Sequence, residues 1–279
     1  MKIKAICSDI DGTLLDNRRE LSPRTVAAFR KLDKNIPVIL ASSRMPGAMR
    51  HLQEELGILH HPMICFNGGY VLLFNEGSAA PAVIDSVQIP VSMCAEIVEM
   101  AHGTDIHVSL YKEDNWYAPQ FDKWAEKEER VTKVSPNIGA LNAVLGEWHA
   151  TDTGAHKVMC MGPEQEIADM AEALTRKYGE EIYIYRSKST YLELAPRSIS
   201  KATALELILK KNYAISMEEV MAFGDNYNDI ELLQAVGKGI AVGNAREEVK
   251  AVAAEITLPS TEDGVAVAIE KYLLQTESR

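Results

Sequence analysis

The stretch that decides the fold is Ile6-Cys7-Ser8-Asp9-Ile10-Asp11-Gly12-Thr13-Leu14-Leu15, a short apolar run that ends in two aspartates one residue apart. Side chains at positions i and i+2 of a strand share a face, so Asp9 and Asp11 can enter one crevice as the strand ends. Two carboxylates so close repel each other, and without a cation one is expected to take up a proton. A bound Mg²⁺ with oxygen ligands is the simplest resolution. The stretch therefore indicates metal-assisted phosphoryl chemistry, although an Asp-Gly turn alone is a common alternative.

Alternating strands and helices extend outward from this stretch to about Phe74. The pattern predicts strands over 3–8, 36–41 and 63–66, a helix that begins at Ser22-Pro23, and a helix over 47–56. The alternation returns near the C-terminus, with predicted helices over 200–212, 228–235, 245–253 and 265–274 and strands over 220–223 and 240–242. Alternation of this kind builds a parallel sheet, and we expect the two ends of the chain to share it.

The middle of the chain, from about Ile84 to Lys188, has a different pattern. Period-two segments such as His107–Tyr111 and Lys157–Met161 predict an antiparallel sheet with one solvated face. A helix after Pro163 is expected to cover the other face. The fold class predicted is α/β, with a Rossmann-like, doubly wound, mainly parallel core over 1–83 and 191–279 and an inserted α+β domain over 84–190. The region 182–195 is compatible with one long strand shared by both parts.

Composition limits the functions that the chain can have. It has 279 residues, with 40 acidic side chains against 29 Lys and Arg, a formal net charge of -11. This charge argues against nucleic acid or an anionic membrane surface as the main partner. The four cysteines are scattered, which indicates neither a zinc knuckle nor a disulfide framework. No apolar run approaches about 18 residues, and charges appear too early for a signal segment, so we expect a cytoplasmic protein.

Three further polar segments are expected near Asp9. Two of them, like Asp9, follow a predicted strand at the edge where open α/β sheets bind ligands, and the third lies at a helix start. The buried strand before Ser42, Ser43 and Arg44 delivers hydroxyl groups that can donate to a phosphate oxygen. Capping of the following helix is an equally open interpretation of these serines. The other two segments are Lys201 and the stretch Phe223–Asp229.

Lys201 lies in the first turn of a predicted helix, where a cation opposes the helix dipole. We therefore expect an anion nearby, either the Asp9 carboxylate or a phosphoryl oxygen, although a solvated side chain remains an alternative. The stretch Phe223–Asp229 places two acids and two amides where a strand passes into a helix. An N-cap accounts for one acid but not for the set. Asp225 is placed to complete a metal site with Asp9, and Asp229 to orient Lys201 or a metal-bound water.

In this order the segments resemble the motifs of the haloacid dehalogenase superfamily of phosphohydrolases. The motifs are D-x-D-G-T-L-L near the N-terminus and G-D-N-x-N-D near the C-terminus, and the long insert is similar to the cap of the Cof-like type IIB phosphatases. The resemblance implies that Asp9 is the nucleophile and that Asp11 is the general acid and then the base. It also implies that Asp9, the main-chain carbonyl of Asp11, and Asp225 bind Mg²⁺.

The resemblance extends to the residues around these acids. It implies that phosphate is held by Ser42, Ser43, Lys201 and Asn228. It implies supporting roles for Thr13, Asn67, Arg44 and Asp229. Two positions depart from the family pattern, because Ser43 and Ala202 stand where glycine is usual. Both are small residues, so the departures concern local geometry and not the class of reaction.

The function expected from the sequence is a Mg²⁺-dependent phosphatase that hydrolyses a small phosphorylated metabolite, a sugar phosphate or a phosphorylated cofactor, through an aspartyl-phosphate. One alternative is a phosphomutase, which shares the nucleophile but returns the phosphoryl group to its substrate. Another is a phospho-accepting signalling module, which needs only about 120 residues and no insert. The protein is expected to be a monomer or a small homo-oligomer.

Overall fold

The computed structural model describes residues 2–75, 77–78 and 80–274. Within them the chain forms two compact units. The first takes its residues from Met1–Ser43, Met49–Asp85 and Ser200–Arg279, and the second from Arg44–Ala48 and Ser86–Ile199. Within the described residues, the first unit combines N-terminal and C-terminal segments in one sheet, as the two similar alternating patterns predicted.

The elements follow one another along the chain as strands and helices. The strands are β1 Ala5–Ser8, β2 Val38–Ala41, β3 Met63–Cys65, β4 Tyr70–Leu73, β5 Ala82–Ser86, β6 Ile89–Pro90, β7 His107–Lys112, β8 Asn115–Ala118, β9 Asn137–Ile138, β10 Gly154–Ala155, β11 Lys157–Met161, β12 Ile182–Lys188, β13 Tyr191–Pro196, β14 Val220–Gly224, β15 Lys238–Ala241 and β16 Glu255–Ile256. The helices are α1 Pro23–Arg30, α2 Gly47–Leu56, α3 Val91–Ala101, α4 Lys123–Thr132, α5 Leu141–Ala150, α6 Glu164–Tyr178, α7 Lys201–Asn212, α8 Ile230–Ala235, α9 Glu247–Val252 and α10 Gly264–Ile269.

The first unit is built on an eight-stranded sheet with the order β16-β15-β14-β1-β2-β3-β4-β5. From β16 to β3 the neighbouring strands pair in parallel, and β4 pairs antiparallel with β3. Every residue of β1, β2 and β14 is buried, because helices cover both faces of a parallel sheet. The α/β fold with a mainly parallel sheet is confirmed, and the carboxyl ends of β1, β2 and β14 lie side by side.

Helical segments near the C-terminus are shorter than the sequence pattern predicted. The segment predicted as a helix over 228–235 is a 3₁₀ turn, Tyr227–Asp229, followed by α8. The segment predicted over 265–274 is α10 followed by a π-helical turn, Glu270–Leu274. The 3₁₀ turn arises because Asn226 and Asp229 form a capping box around it, a local hydrogen-bond pattern that apolar periodicity does not reveal.

The second unit is built on a six-stranded sheet with the order β12-β13-β11-β7-β8-β9, antiparallel apart from the β8–β9 pair. One face packs against α3, α5 and α6 in a single apolar core, to which α6 contributes the predicted side chains Ile167, Met170, Ala171 and Leu174. The prediction that the other face is solvated is wrong, because that face carries the buried side chains Tyr111, Trp116, Met159 and Tyr191, and Trp124 of α4 packs edge-on against Tyr191. His107 and Ser109 are buried on the same face and share a hydrogen bond of 3.0 Å.

The division between the units differs from the prediction on the C-terminal side. The predicted core segment 191–279 begins with β13, but β13 pairs with β12 and with β11 in the sheet of the second unit. The division therefore falls between Ile199 and Ser200, and the earlier one between Asp85 and Ser86. Apolar alternation shows that 191–196 is a strand but not which sheet it joins.

In the part of the chain that the structure describes, no helix is both long enough and apolar enough to span a bilayer. All four cysteine side chains, Cys7, Cys65, Cys94 and Cys160, are buried.

Candidate active site

A buried lysine joins two aspartates at the carboxyl edge of the first sheet. Lys201 Nζ donates to Asp9 Oδ1 at 2.5 Å and to Asp229 Oδ1 at 2.7 Å. All three residues are at most 5% exposed. Ser200 caps α7 by accepting a hydrogen bond from the Thr203 amide, so the cap of this helix is supplied by Ser200 and not by Lys201. The structure therefore supplies the anions expected near this lysine.

Three carboxylates form a cluster around one small volume. Asp9, Asp225 and Asp229 each offer one oxygen, and these atoms all lie within 4.8 Å of one another. Within the described residues Asp9 Oδ2 is buried and has no hydrogen-bond partner. An unsatisfied buried carboxylate oxygen is costly, and a hard divalent cation satisfies it. The donor set therefore fits a metal ion.

The electrostatics of the cluster show repulsion between Asp9 and the acids of the C-terminal segment, and not between Asp9 and Asp11 as the sequence predicted. Burial raises the pKa of Asp9 well above its ordinary value, and Asp229 and Asp225 add to the rise although Lys201 opposes it. Burial, reinforced by Asp229, raises the pKa of Asp225 to about 6. Burial would lower the pKa of Lys201, but the negative charges of Asp229 and Asp9 outweigh it and raise the pKa. The protein alone leaves the negative charge of these carboxylates incompletely balanced.

Asp229 organises the loop that carries Asp225. Its Oδ2 accepts hydrogen bonds from the backbone amides of Asp225 at 2.9 Å and Asn226 at 3.0 Å. Its Oδ1 accepts from Lys201, so both oxygens are engaged. Asp229 is therefore better suited to orient Lys201 than to bind a metal, whereas Asp9 and Asp225 are better suited as ligands.

The turn after Asp9 brings the first and last acidic segments into contact. Thr13 Oγ1 donates to Asp225 Oδ1 at 2.9 Å. Gly12 has a φ of +85°, and a Cβ at this position would lie 2.5 Å from Asp225 Oδ2. Only glycine permits this approach, so the Asp-Gly pair is at once a turn and part of the site.

Asp11 does not belong to the carboxylate cluster. It is partly exposed, and its Oδ1 lies 3.3 Å from Arg19 Nη1. Arg19 was not expected from the sequence, because it lies in a polar loop without periodicity. Asp11 therefore lies beside the cationic side chain of Arg19, and the two form an exposed ion pair.

Two asparagines predicted near the site contact each other. Asn228 Nδ2 donates to Asn67 Oδ1 at 3.0 Å, and the backbone amide of Asn67 donates to the Ser42 carbonyl at 2.8 Å. Ser42 is buried and Ser43 is partly buried. The structure thus connects three of the predicted residues, from three different segments.

Arg44 contacts the start of the helix that follows it. Its side chain is buried, and the guanidinium donates to the Ala48 carbonyl at 3.0 Å. Arg44 and Ala48 both belong to the second unit. This contact joins the guanidinium of Arg44 to the first turn of α2.

Asn244 is a site neighbour that sequence reasoning missed. Its Nδ2 donates to the Gly12 carbonyl at 2.7 Å, and its Oδ1 accepts from the Ser260 amide at 2.8 Å. It also lines a cleft of about 380 Å³ whose walls include Asp11, Gly12 and Arg19. Asn244 follows β15, so the rule that ligand groups lie where parallel strands end would have found it.

Comparison with known proteins agrees with this geometry. The model of the haloacid dehalogenase-like hydrolase family matches residues 6–269. A Haemophilus influenzae protein named as a phosphatase is 32% identical over 97% of this chain and 98% of its own. The HMP-PP phosphatase of Yersinia enterocolitica is 26% identical over 95% of this chain and 93% of its own. The crystal structure of a haloacid dehalogenase-like hydrolase from Bacteroides thetaiotaomicron has a TM-score of 0.85, with 29% identity, and covers 97% of this chain and 99% of its own.

The fold and the site define a hydrolase with a doubly wound α/β core. The chain belongs to the haloacid dehalogenase-like hydrolase family. The resemblance drawn from the two sequence motifs is confirmed, and so is the predicted enzyme class, a hydrolase of phosphoric monoesters.

Proposed function

We propose that this protein is a Mg²⁺-dependent phosphatase that hydrolyses a small phosphorylated metabolite through a phosphoryl group carried on Asp9. The observation that carries the proposal is the buried Asp9 carboxylate, with Oδ1 held by Lys201 and Oδ2 buried without a partner among the described residues. The Lys201 contact orients the carboxylate without using all the lone pairs of Oδ1. One oxygen of Asp9 can therefore face a metal ion while the other attacks phosphorus.

The reaction divides into two displacements at phosphorus. In the first, a bond forms between the Asp9 carboxylate and phosphorus while the bond to the leaving oxygen breaks, and Asp11 donates a proton to that oxygen. In the second, Asp11 takes a proton from water, the water oxygen bonds to phosphorus, and the bond to Asp9 breaks. Lys201 and the Ser42 hydroxyl offset negative charge on the transferred group.

The residues proposed to hold Mg²⁺ are Asp9, Asp225 and the main-chain carbonyl of Asp11. The cluster described above supports this assignment for the two carboxylates. When bound, the ion supplies positive charge that stabilises the transition state of phosphoryl transfer. Thr13 and Asp229 keep Asp225 in place, by the hydrogen bonds at 2.9 Å that each makes with it.

The relatives and the charge of the chain support the proposed substrate class. A relative that covers nearly the whole chain is named for HMP-PP, a small phosphorylated compound, which supports a metabolite and not a macromolecule as substrate. The net charge of -11 means that an anionic substrate needs a local cation such as Lys201. In this proposal the second unit acts as the cap that recognises the organic leaving group.

The cellular setting is part of the same proposal. Four buried thiols are typical of a reducing compartment, which supports a cytoplasmic enzyme. We propose that it works as a monomer or a small homo-oligomer without nucleic-acid or membrane partners.

A phosphate-release screen tests the proposal. The purified protein would be incubated with sugar phosphates and phosphorylated cofactors, with Mg²⁺ and with a chelator. Inorganic phosphate from at least one substrate, abolished by the chelator, is the expected result. An isomerised product without phosphate release would indicate a mutase. Stable phosphorylation without turnover would indicate a signalling module.

A further inference from the structure

The Asp11–Gly12–Thr13 turn is anchored from two sides. On one side Thr13 Oγ1 donates to Asp225. On the other, the exposed Asn244 donates from Nδ2 to the Gly12 carbonyl at 2.7 Å, across 232 residues of sequence. The Oδ1 atom of Asn244 accepts a hydrogen bond from the Ser260 backbone amide at 2.8 Å. One side chain therefore fixes the turn to a second loop of the first unit.

The segment that carries Asn244 also holds the Asp225 loop. The Arg246 amide donates to the Asp225 carbonyl at 3.0 Å, and Arg246 Nε donates to Asn226 Oδ1 at 2.9 Å. The three residues from Asn244 to Arg246 thus contact both acid-bearing loops. These contacts hold the Asp11–Gly12–Thr13 turn at a fixed distance from Asp225.

Asp11 depends on such backbone anchoring. Its side chain contacts Arg19 at 3.3 Å, and the Asp11 and Arg19 side chains are 37% and 48% exposed. A general acid needs a heavy-atom distance of about 2.6–3.2 Å to the oxygen that it protonates. The reach of the Asp11 carboxylate starts from its backbone, so the turn that fixes this backbone decides which oxygen it can protonate.

We infer that Asn244 is a positioning residue for Asp11. By holding the carbonyl of the next residue, it keeps the acid where the leaving oxygen arrives. A misplacement of about 1 Å costs roughly 10²-fold in rate. The inference rests on the proposed function, because it assigns Asn244 to the proton transfer of that reaction.

Two substrates with different leaving groups test the inference. p-Nitrophenyl phosphate releases a stable anion that needs no proton, whereas an alkyl phosphate, such as a sugar phosphate that the parental enzyme hydrolyses, needs one. The variant is Asn244→Asp, which keeps the acceptor for Ser260 but places an oxygen against the Gly12 carbonyl. The quantity measured is kcat/KM, which reports the steps up to transfer onto Asp9.

The expected result is a loss of kcat/KM on the alkyl phosphate that is about 10- to 100-fold larger than the loss on p-nitrophenyl phosphate. Asn244→Ala should show the same selectivity, which guards against an effect of the added charge. The control Asn142→Asp adds the same charge at an exposed position of α5 and should leave both values near the parental ones.

Equal losses on the two substrates, or no loss on either, would overturn the inference, because a purely structural role lowers both alike. The proposed function would then still stand if the parental enzyme releases phosphate from both substrates and Asp9→Asn does not. A parental enzyme that releases no phosphate from any monoester would overturn both. Thermal unfolding of each variant separates a loss of folded protein from a loss of selectivity.

Discussion

Lys201 Nζ lies 2.5 Å from Asp9 Oδ1, although 192 residues separate the two in sequence. Both side chains are buried, and Lys201 also binds Asp229. This contact joins the first acidic segment to the helix that begins the C-terminal part of the core. The residues of the candidate active site are therefore expected to contribute to the stability of the fold as well as to catalysis.

Replacing this lysine is expected to destabilise the protein. Lys201→Met leaves Asp9 and Asp229 buried without their cation, and removing one partner of a buried pair costs about 3–5 kcal/mol. Denaturant unfolding of the metal-free protein measures the loss. Lys4→Met is the matched control, because Lys4 forms an exposed pair with Glu219, and it should have a much smaller effect. Equal losses for the two variants would contradict the account.

Magnesium is expected to raise the thermal unfolding midpoint of the metal-free protein, because the ion binds the folded carboxylate cluster and not the unfolded chain. Asp225→Asn should reduce this increase strongly, since it removes one ligand. Without Mg²⁺ the variant should be at least as stable as the parent, because it removes repulsion and keeps an acceptor for Thr13. Exposed Asp169→Asn is the control. An unchanged Mg²⁺ response in Asp225→Asn would place the metal elsewhere.

Gly68 is expected to be required for the position of Lys201. It has a φ of +114°, and a Cβ there would lie 2.6 Å from the carbonyl of Ser200, the residue before Lys201. Gly103 has a φ of +78° with open space around it, so Gly103→Ala measures backbone strain alone. Gly68→Ala should lose about 1–3 kcal/mol more than this control and should lower kcat. Equal unfolding free energies would show that the loop adapts freely.

His156 makes the stability of the second unit depend on pH. Burial, together with nearby Lys112, lowers its pKa from 6.5 to about 3. Its Nδ1 accepts from the Glu113 amide at 2.9 Å, which requires the neutral ring. Between these pH values the unfolded chain binds a proton that the folded chain does not. The contribution of the neutral His156 ring to the free energy of unfolding is therefore complete above pH 6.5 and declines as the pH falls below 6.5.

His156→Asn keeps an acceptor near the position of Nδ1 but cannot titrate. The free energy of unfolding of the parent should fall more steeply with decreasing pH, with slopes that differ by about 1.4 kcal/mol per pH unit between about pH 4 and 6. Chemical denaturation at several pH values gives both slopes. Parallel curves would show that the ring is charged in the folded protein.

The sequence contained enough information for the core of the site. Apolar runs before Asp9, Ser42 and Asp225 indicated buried parallel strands, and the ends of such strands share one edge. The unfavourable dipole position of Lys201 indicated an anion nearby. These features depend on local patterns, so they could be predicted without knowledge of the tertiary structure.

Other features depend on packing between distant loops. Arg19 contacts Asp11, and Asn244 contacts Gly12, through loops whose paths no periodicity specifies. The strand Tyr191–Pro196 was recognisable, but its pairing with β11 was not, because alternation gives the faces of a strand and not its neighbours. The second boundary was therefore placed too early in the chain.

The proposed reaction requires that Asp9 carries the phosphoryl group. Rapid acid quenching during turnover with Mg²⁺, followed by mass spectrometry of the intact chain and its peptides, detects that group. We expect one transient phosphoryl group on Asp9 in the parent, none in Asp9→Asn, and a turnover in that variant lower by roughly 10⁴-fold. A phosphoryl group on another residue, or near-normal turnover by Asp9→Asn, would contradict it.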